Sequence, residues 1–320
     1  MKIGYIGGFW ATNIGNSFYN LGALYLLKKI YGEDSVYFIP DPPQWMWKVD
    51  NNYDFISDID VDIVFISGPC LNYSMPRVYK KIFDNFKKKG IKIAFISVGV
   101  SEYTPEEAKF VQNFLSNYNI AYMMTRDEET YNFYKNCEFP TYNGLCTSMF
   151  LNDAVNVTPM KKENYIVFNF AKFKEPIIRY NNGKYSFKKR SIFTKFQTSL
   201  DSFKVVRTNN SMFCRLKDVL FNRDNIYYSD LPYGYLSILK HANLVFSDRV
   251  HTCAATLILG GKAMYIKGSK RSHDGRNNLF KRIKVDTIYE KPTSLNLHYI
   301  EQEKEKMIEY LCSCKKDCML

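Results

Sequence analysis

The sequence predicts an α/β fold made of two parallel-sheet units facing across a cleft, and three observations predict it. Short, continuously apolar segments alternate with helical ones, the pattern of parallel sheets covered on both faces. Several apolar segments end on tight backbone, at Gly7-Gly8, Gly68-Pro69 and Gly99. In such sheets ligands bind outside the carboxyl ends of the strands. Charge then divides the chain: residues 1–155 carry 14 basic and 17 acidic side chains, and residues 156–320 carry 30 and 15. A near-neutral part joined to a strongly basic one implies two folding units, residues 1–155 and 156–320.

The elements follow in order. Lys2 to Gly7 is a short apolar strand, and Ser17 to Ile30 places Phe18, Leu21, Leu24, Tyr25 and Leu27 at helical spacing. Ser35 to Ile39 is a strand closed by Pro40, Pro42 and Pro43, and Asp62 to Ser67 is another. Pro76 to Lys89 is a helix with basic residues in its last turn and Gly90 as its stop. After the strand Ile91 to Val98, Thr104-Pro105-Glu106-Glu107 is a helix start, with a Thr cap, Pro at the first position and acids in the first turn. Ala121 to Thr125 is a strand, Asp127 opens a helix to about Asn136, and Leu151 to Asn164 reads as a linker. Tyr165 to Ala171 restarts the strand pattern, while residues 172–224 are basic and aromatic, with Asn181-Asn182-Gly183 as a turn. Leu236 to Ala242 is helical, Asn243 to Phe246 a strand, Val250 to Leu259 a helix stopped by Gly260-Gly261, Ala263 to Ile266 a strand, and Ile300 to Leu311 a charged amphipathic helix. Two Rossmann-like units in tandem correspond to the GT-B arrangement.

Composition excludes several classes. With 46% hydrophobic and 24% charged residues, the chain is neither a disordered tail nor a small disulfide scaffold. No apolar run approaches the roughly 18 residues that span a bilayer, and Met1 to Trp10 reads as a buried first strand, so a cytoplasmic protein is expected. Cys70, Cys137, Cys146, Cys214 and Cys253 read as reduced, buried thiols. Cys312, Cys314 and Cys318 read as part of a loose terminus rather than a metal site, because no fourth ligand lies nearby.

The chemistry concentrates in Leu244 to Ile266. A strand there delivers Ser247, Asp248, Arg249 and His251 to the start of a helix of small and apolar residues. A helix N-terminus offers free N–H groups and partial positive charge. Arg249 adds a planar fork for carboxylate or phosphate. His251 adds a group that exchanges protons near neutral pH. The set is an anion site with an acid beside it; the plainer reading is a capped buried helix. Lys267 and Lys270, after the next strand, are further phosphate candidates, although each alone also reads as a solvated surface charge. Asn13 and Asn16 either bind sugar hydroxyls or shape a turn.

Ser247-Asp248-Arg249-Val250-His251, followed by Gly261-Lys262 and Tyr265-Ile266, resembles the polysaccharide pyruvyl transferase family. The resemblance extends to Asn13-Ile14-Gly15-Asn16, Ser67-Gly68-Pro69, Val98-Gly99-Val100 and Arg126-Asp127, in the family's order from about Lys2 to Lys270. The departures lie in the first half. Ser17-Phe18-Tyr19 stands where the family has an acidic residue, the glycine run is reduced to Gly68, and Cys146-Thr147-Ser148 occupies a place where an Asp is usual.

The resemblance implies phosphoenolpyruvate as donor, a sugar or lipid-linked glycan with two nearby hydroxyls as acceptor, a cyclic pyruvate ketal as product, and no separate cofactor or metal. It implies His251 as general acid or phosphate holder, Arg249 as donor clamp with Ser247 beside it, and Lys172, with Lys174 as alternative, as a donor contact. Glu102 and Asp127 are both candidates for the acceptor's base. Peripheral contact with an anionic membrane surface fits the basic half. Three other readings stay open. One is a GT-B glycosyltransferase using a nucleotide sugar, with Asp274 or Asp286 on the ribose. Another is a nucleic-acid binder using residues 172–223, disfavoured because no known module is visible. The third is a non-catalytic glycan- or anion-binding member of the same fold.

Overall fold

The computed structural model describes residues 1–10, 12–45, 55–158, 164–191, 194–210, 225–267 and 278–319. The first half forms one sheet from β1 (Ile3–Gly7), β2 (Val36–Pro40), β3 (Ile63–Leu71), β4 (Lys92–Val100), β5 (Ile120–Thr125) and β6 (Thr141–Asn143). Its order is β2-β1-β3-β4-β5-β6, and every adjacent pair is parallel. The chain leaves β1 toward one edge and returns to β3 on its other side. The crevice between the ends of β1 and β3 is therefore the switch point, where open parallel sheets bind ligands. Helices α1 (Gly15–Tyr31), α2 (Met75–Lys89), α3 (Pro105–Leu115), α4 (Glu128–Tyr134) and α5 (Leu151–Ala154) accompany this sheet.

Strand periodicity sorts the core into two layers. Ile3, Tyr5, Ile63, Phe65, Ala94 and Ile96 face one cluster, and Ile6, Val64, Ile66, Ile93 and Phe95 face another beneath α2 and α3. The cap signals act as their residues suggest: Thr104 Oγ1 accepts the Glu107 amide at 3.2 Å, Asp127 Oδ1 accepts the Thr130 amide at 2.8 Å, and Gly90 ends α2 at φ 72°.

The second half builds on β7 (Tyr165–Asn169), a hairpin of β8 (Ile177–Asn181) and β9 (Lys184–Lys188), then β10 (Ser199–Leu200), β11 (Phe203–Thr208), β12 (Val245–Ser247) and β13 (Ala263–Tyr265). The main sheet runs β10-β11-β7-β12-β13 and is parallel except at β10–β11. The hairpin turns on Asn182 and Gly183 at φ 50° and 78°, the left-handed pair that a two-residue turn requires. Helices α6 (Pro232–His241), α7 (Val250–Ile258), α8 (Asn278–Arg282) and α9 (Leu297–Met319) complete the described residues. Gly260 lies just past the end of α7 at φ 85°.

Two expectations change. The segment expected to be a linker begins with a helical turn, α5, packed against α1. The cysteine-bearing terminus is not loose. It continues α9, with Cys314 buried and Tyr310 stacked on Tyr142 at 4.4 Å. Lys315 Nζ donates to the Ile30 carbonyl at 2.7 Å and Lys92 Nζ to the Cys318 carbonyl at 3.1 Å, so the last helix returns to the first sheet. Cys214 lies outside the described residues. Among the described residues no three His, Cys, Asp or Glu side chains gather as metal ligands, and no helix is long and apolar enough to cross a membrane.

One contact between α1 and the Thr147–Phe150 turn is close enough to test. A Cβ on Gly22 would stand 1.8 Å from the Thr147 carbonyl oxygen, and a main-chain atom cannot swing aside. Gly22→Ala gains up to about 1 kcal/mol of helix propensity but loses about 3 kcal/mol to the clash. We expect Tm to fall by about 4–8 °C in circular dichroism melts; an unchanged Tm would mean that α1 is not seated on this turn.

Candidate active site

The carboxyl ends of both sheets meet at one place, and buried amides and hydroxyls set its shape. Ser247, the last residue of β12, donates from Oγ to Asn169 Oδ1 at 2.8 Å and accepts the Arg249 amide at 3.0 Å. Asn169, the last residue of β7, donates to Thr208 Oγ1 at 2.8 Å and to Asn210 Oδ1 at 2.7 Å. Asn210 reaches into the other half: its carbonyl accepts the Ile14 amide at 2.7 Å, and its Nδ2 lies 3.4 Å from Asn13 Oδ1 and 3.1 Å from Thr252 Oγ1. These groups are almost all buried, so each needs its partner. The network holds the start of α1 against the start of α7.

The start of α7 carries Arg249 and His251. Arg249 is its N-cap residue, in extended conformation, and His251 lies in the first turn. The imidazole packs against the Tyr19 ring at 5.1 Å, and its Nε2 lies 3.9 Å from Cys146 Sγ. Gly15 lets α1 come this close, because a Cβ there would meet His251 Cβ at 3.2 Å.

Asp248 is turned away from the cleft. Its buried carboxylate accepts the amides of Ala171, Lys172 and Phe173 at 2.7–3.1 Å. Burial raises its pKa, and these amides and Arg249 oppose the rise. The effect is to fix the turn after β7 that carries Lys172.

The first half contributes Arg126, just past β5. Its guanidinium crosses over Gly99, where a Cβ would stand 2.5 Å from Nε, so this path exists only over glycine. Nε lies 3.7 Å from Asp127 Oδ2, which also accepts the Tyr103 hydroxyl at 2.9 Å. Burial alone would lower the Arg126 pKa, but Tyr103, Asp127 and Cys146 outweigh it and raise it. Arg126 is a permanent cation, 4% exposed.

These groups border one cavity of about 150 Å³, lined by Asn13, Asn16, Pro69 and Arg126 from the first half and by Lys172, Asn210, Arg249, Val250, His251 and Leu279 from the second. The structure thus brings together five residues singled out in the sequence: Asn13, Asn16, Lys172, Arg249 and His251. Ser247 is not among them; its hydroxyl is spent inside the protein on Asn169 and the Arg249 amide. Lys267 is not among them either, being exposed with its Nζ 5.7 Å over the Tyr289 ring. Lys270 lies outside the described residues. Lys174 and Glu102 are exposed and do not line the cavity, and Asp127 is buried as the cap of α4. Arg126, Asn169, Asn210 and the role of Asp248 were not predicted as site features. Only Arg126 carried a signal, the Arg-Asp pair at a strand end.

A family model for polysaccharide pyruvyl transferases matches residues 13–269, which include every lining residue except Leu279. No curated protein matches the sequence. Among solved structures, a UDP-GlcNAc 2-epimerase from Neisseria meningitidis bound to UDP-GlcNAc is similar at TM-score 0.54 and 11% identity, over 98% of this chain and 100% of that one. A UDP-GlcNAc 2-epimerase from Methanocaldococcus jannaschii is similar at TM-score 0.49 and 11% identity, over 97% and 100%. At 11% identity the likeness to the Neisseria enzyme shows a shared GT-B-like fold and nothing more.

Proposed function

Since the chain belongs to the polysaccharide pyruvyl transferase family, we propose that it moves the enolpyruvyl group of phosphoenolpyruvate onto two hydroxyls of a sugar or lipid-linked glycan, closing a pyruvate ketal. One observation carries this reading: Arg126, Lys172, Arg249 and His251 converge on a single small cavity at the ends of both sheets. Phosphoenolpyruvate brings a carboxylate and a phosphate, and three cations with a helix N-terminus complement both. A volume of about 150 Å³ suits a small metabolite; pockets for drug-sized ligands run to about 300–1,000 Å³.

In this reading Arg249 and Arg126 clamp the anionic groups from opposite halves, and Lys172 adds a third cation. His251 protonates the methylene carbon, positive charge develops at the adjacent carbon, and an acceptor hydroxyl attacks there. The carbon–oxygen bond to phosphate breaks, and the second hydroxyl closes the ring. Two protons leave the acceptor; one is balanced by the new methyl hydrogen and the other by hydrogen phosphate. The reaction closes without a further cofactor. Asn13 and Asn16 line the same cavity from the first half, and in this reading they offer hydrogen bonds to the acceptor's hydroxyls.

Ligand-induced stabilisation tests the donor. Phosphoenolpyruvate at about 100 times its Kd should add about 2.7 kcal/mol and raise Tm, whereas UDP-GlcNAc should not. Arg249→Ala removes charge-assisted hydrogen bonds worth about 1.5–3 kcal/mol, so affinity for phosphoenolpyruvate should fall about 10- to 100-fold. A Tm rise with the nucleotide sugar alone would favour the glycosyltransferase reading.

A further inference from the structure

Residues 171–200 carry eight basic side chains and one acid, Glu175. That acid is spent inside the fold: buried, it accepts Arg207 Nε at 2.9 Å and Nη2 at 2.8 Å. The cations of the segment are therefore offset by no acid of its own. Asp201, just past β10, acts on Tyr185.

The register of the β8–β9 hairpin decides where these cations stand, because cross-strand partners share a face. Ile178 lies opposite Phe187, and Tyr180 opposite Tyr185. This face is packed. Ile178 is fully buried, Tyr180 sits 4.7 Å from Tyr185, and Tyr185 and Phe187 lie 5.1 and 6.3 Å from Phe246 of β12. The alternate residues form the other face, with Arg179 opposite Ser186, Lys184 opposite Asn181 and Lys188 opposite Ile177. Arg179, Lys184 and Lys188 are all exposed. Gln197 holds β8 in place, accepting the Ile178 amide at 2.7 Å and donating to its carbonyl at 2.9 Å. The outward face is thus a row of cations on a fixed hairpin, with Lys174, Lys189 and Lys195 exposed around it.

We propose that this outward face docks the protein onto a bilayer surface rich in anionic phospholipid headgroups. Charge complementarity carries the assignment: each Lys or Arg close to such a surface gains about fivefold in affinity. Single-stranded nucleic acid is the poorer match, because its bases stack on open aromatic faces, and the rings of this hairpin pair with one another and with Phe246 on the packed side. Lys172, which lines the cavity, precedes β8 by no more than about 18 Å of extended chain. Docking therefore brings the cleft toward the layer that holds a lipid-linked acceptor, while the docking itself needs neither donor nor acceptor.

Vesicle flotation of the full chain, without donor or acceptor, tests this. The vesicles are phosphatidylcholine alone, or phosphatidylcholine with one-third phosphatidylglycerol, at about 0.1 M salt, where charges act over about 10 Å. Wild type should float with the mixed vesicles and not with phosphatidylcholine, and about 1 M salt should release it. Arg179→Gln, Lys184→Gln and Lys188→Gln together should weaken binding about 100-fold with Tm unchanged. A control that neutralises three exposed lysines of the first half, Lys88→Gln, Lys109→Gln and Lys135→Gln, should stay within a few fold of wild type. Wild type that ignores the mixed vesicles overturns the assignment. So do equal losses in the two triple variants, which would reduce the effect to net charge alone. Wild type that binds duplex DNA more tightly than the mixed vesicles, with that binding lost in the hairpin variant, overturns it in favour of a nucleic-acid surface.

Discussion

His251→Gln should lower turnover by about 10²- to 10⁴-fold while leaving phosphoenolpyruvate binding within a few fold of wild type. Glutamine keeps a polar side chain of similar reach in the first turn of α7 but cannot deliver a proton at neutral pH. The imidazole stands against Tyr19 and Cys146 at the cavity wall, whereas the proposed mechanism assigns anion recognition to Arg126, Lys172 and Arg249. Loss should therefore appear in kcat, with KM for phosphoenolpyruvate little changed, measured as phosphate release under saturating donor. A loss confined to KM would move His251 from proton transfer to donor binding.

Arg126→Ala should damage fold and site together. Removing the guanidinium leaves Asp127, with no exposed surface, without its cation 3.7 Å away. Breaking a buried pair in this way costs about 3–5 kcal/mol, and the cavity loses the cation that Arg126 brings from the first half. We expect a strongly reduced Tm and no phosphoenolpyruvate-dependent stabilisation. Gly99→Ala separates the two effects. It retains the charge but puts a Cβ 2.5 Å from Arg126 Nε, so the side chain must leave its path. That variant should bind phosphoenolpyruvate poorly even in the cold, where it is folded. If it binds as wild type does, Arg126 is a structural cation and not part of the donor site.

Much of this architecture was legible in the sequence, for identifiable physical reasons. The inner strands of the first sheet, β1, β3, β4 and β5, are buried along nearly their whole length, so they read as continuous apolar runs. Thr104, Asp127, Gly90 and Asn182-Gly183 are used as their chemistry suggests. Arg249 and His251 stood out because a cation and an imidazole at a strand-to-helix turn have few structural uses. Ser247 misled because a hydroxyl at a strand end can face either way, and here it faces Asn169. Asn210 escaped because it lies in the basic, aromatic stretch, where no single period dominates. Its role depends on Asn13, nearly two hundred residues earlier in the chain, and local pattern cannot show that pairing. The last helix carried a signal that was overlooked. Met307, Leu311, Cys314 and Cys318 recur at four- and three-residue spacing on the side packed against the core, so the cysteines continue an apolar stripe.

The most direct measurement is a crystal structure of the protein with phosphoenolpyruvate or a non-reacting analogue. The account predicts one molecule in the cleft, its anionic groups on Arg126, Lys172 and Arg249, and its methylene carbon facing His251. A donor bound elsewhere, with this cleft empty, would contradict it.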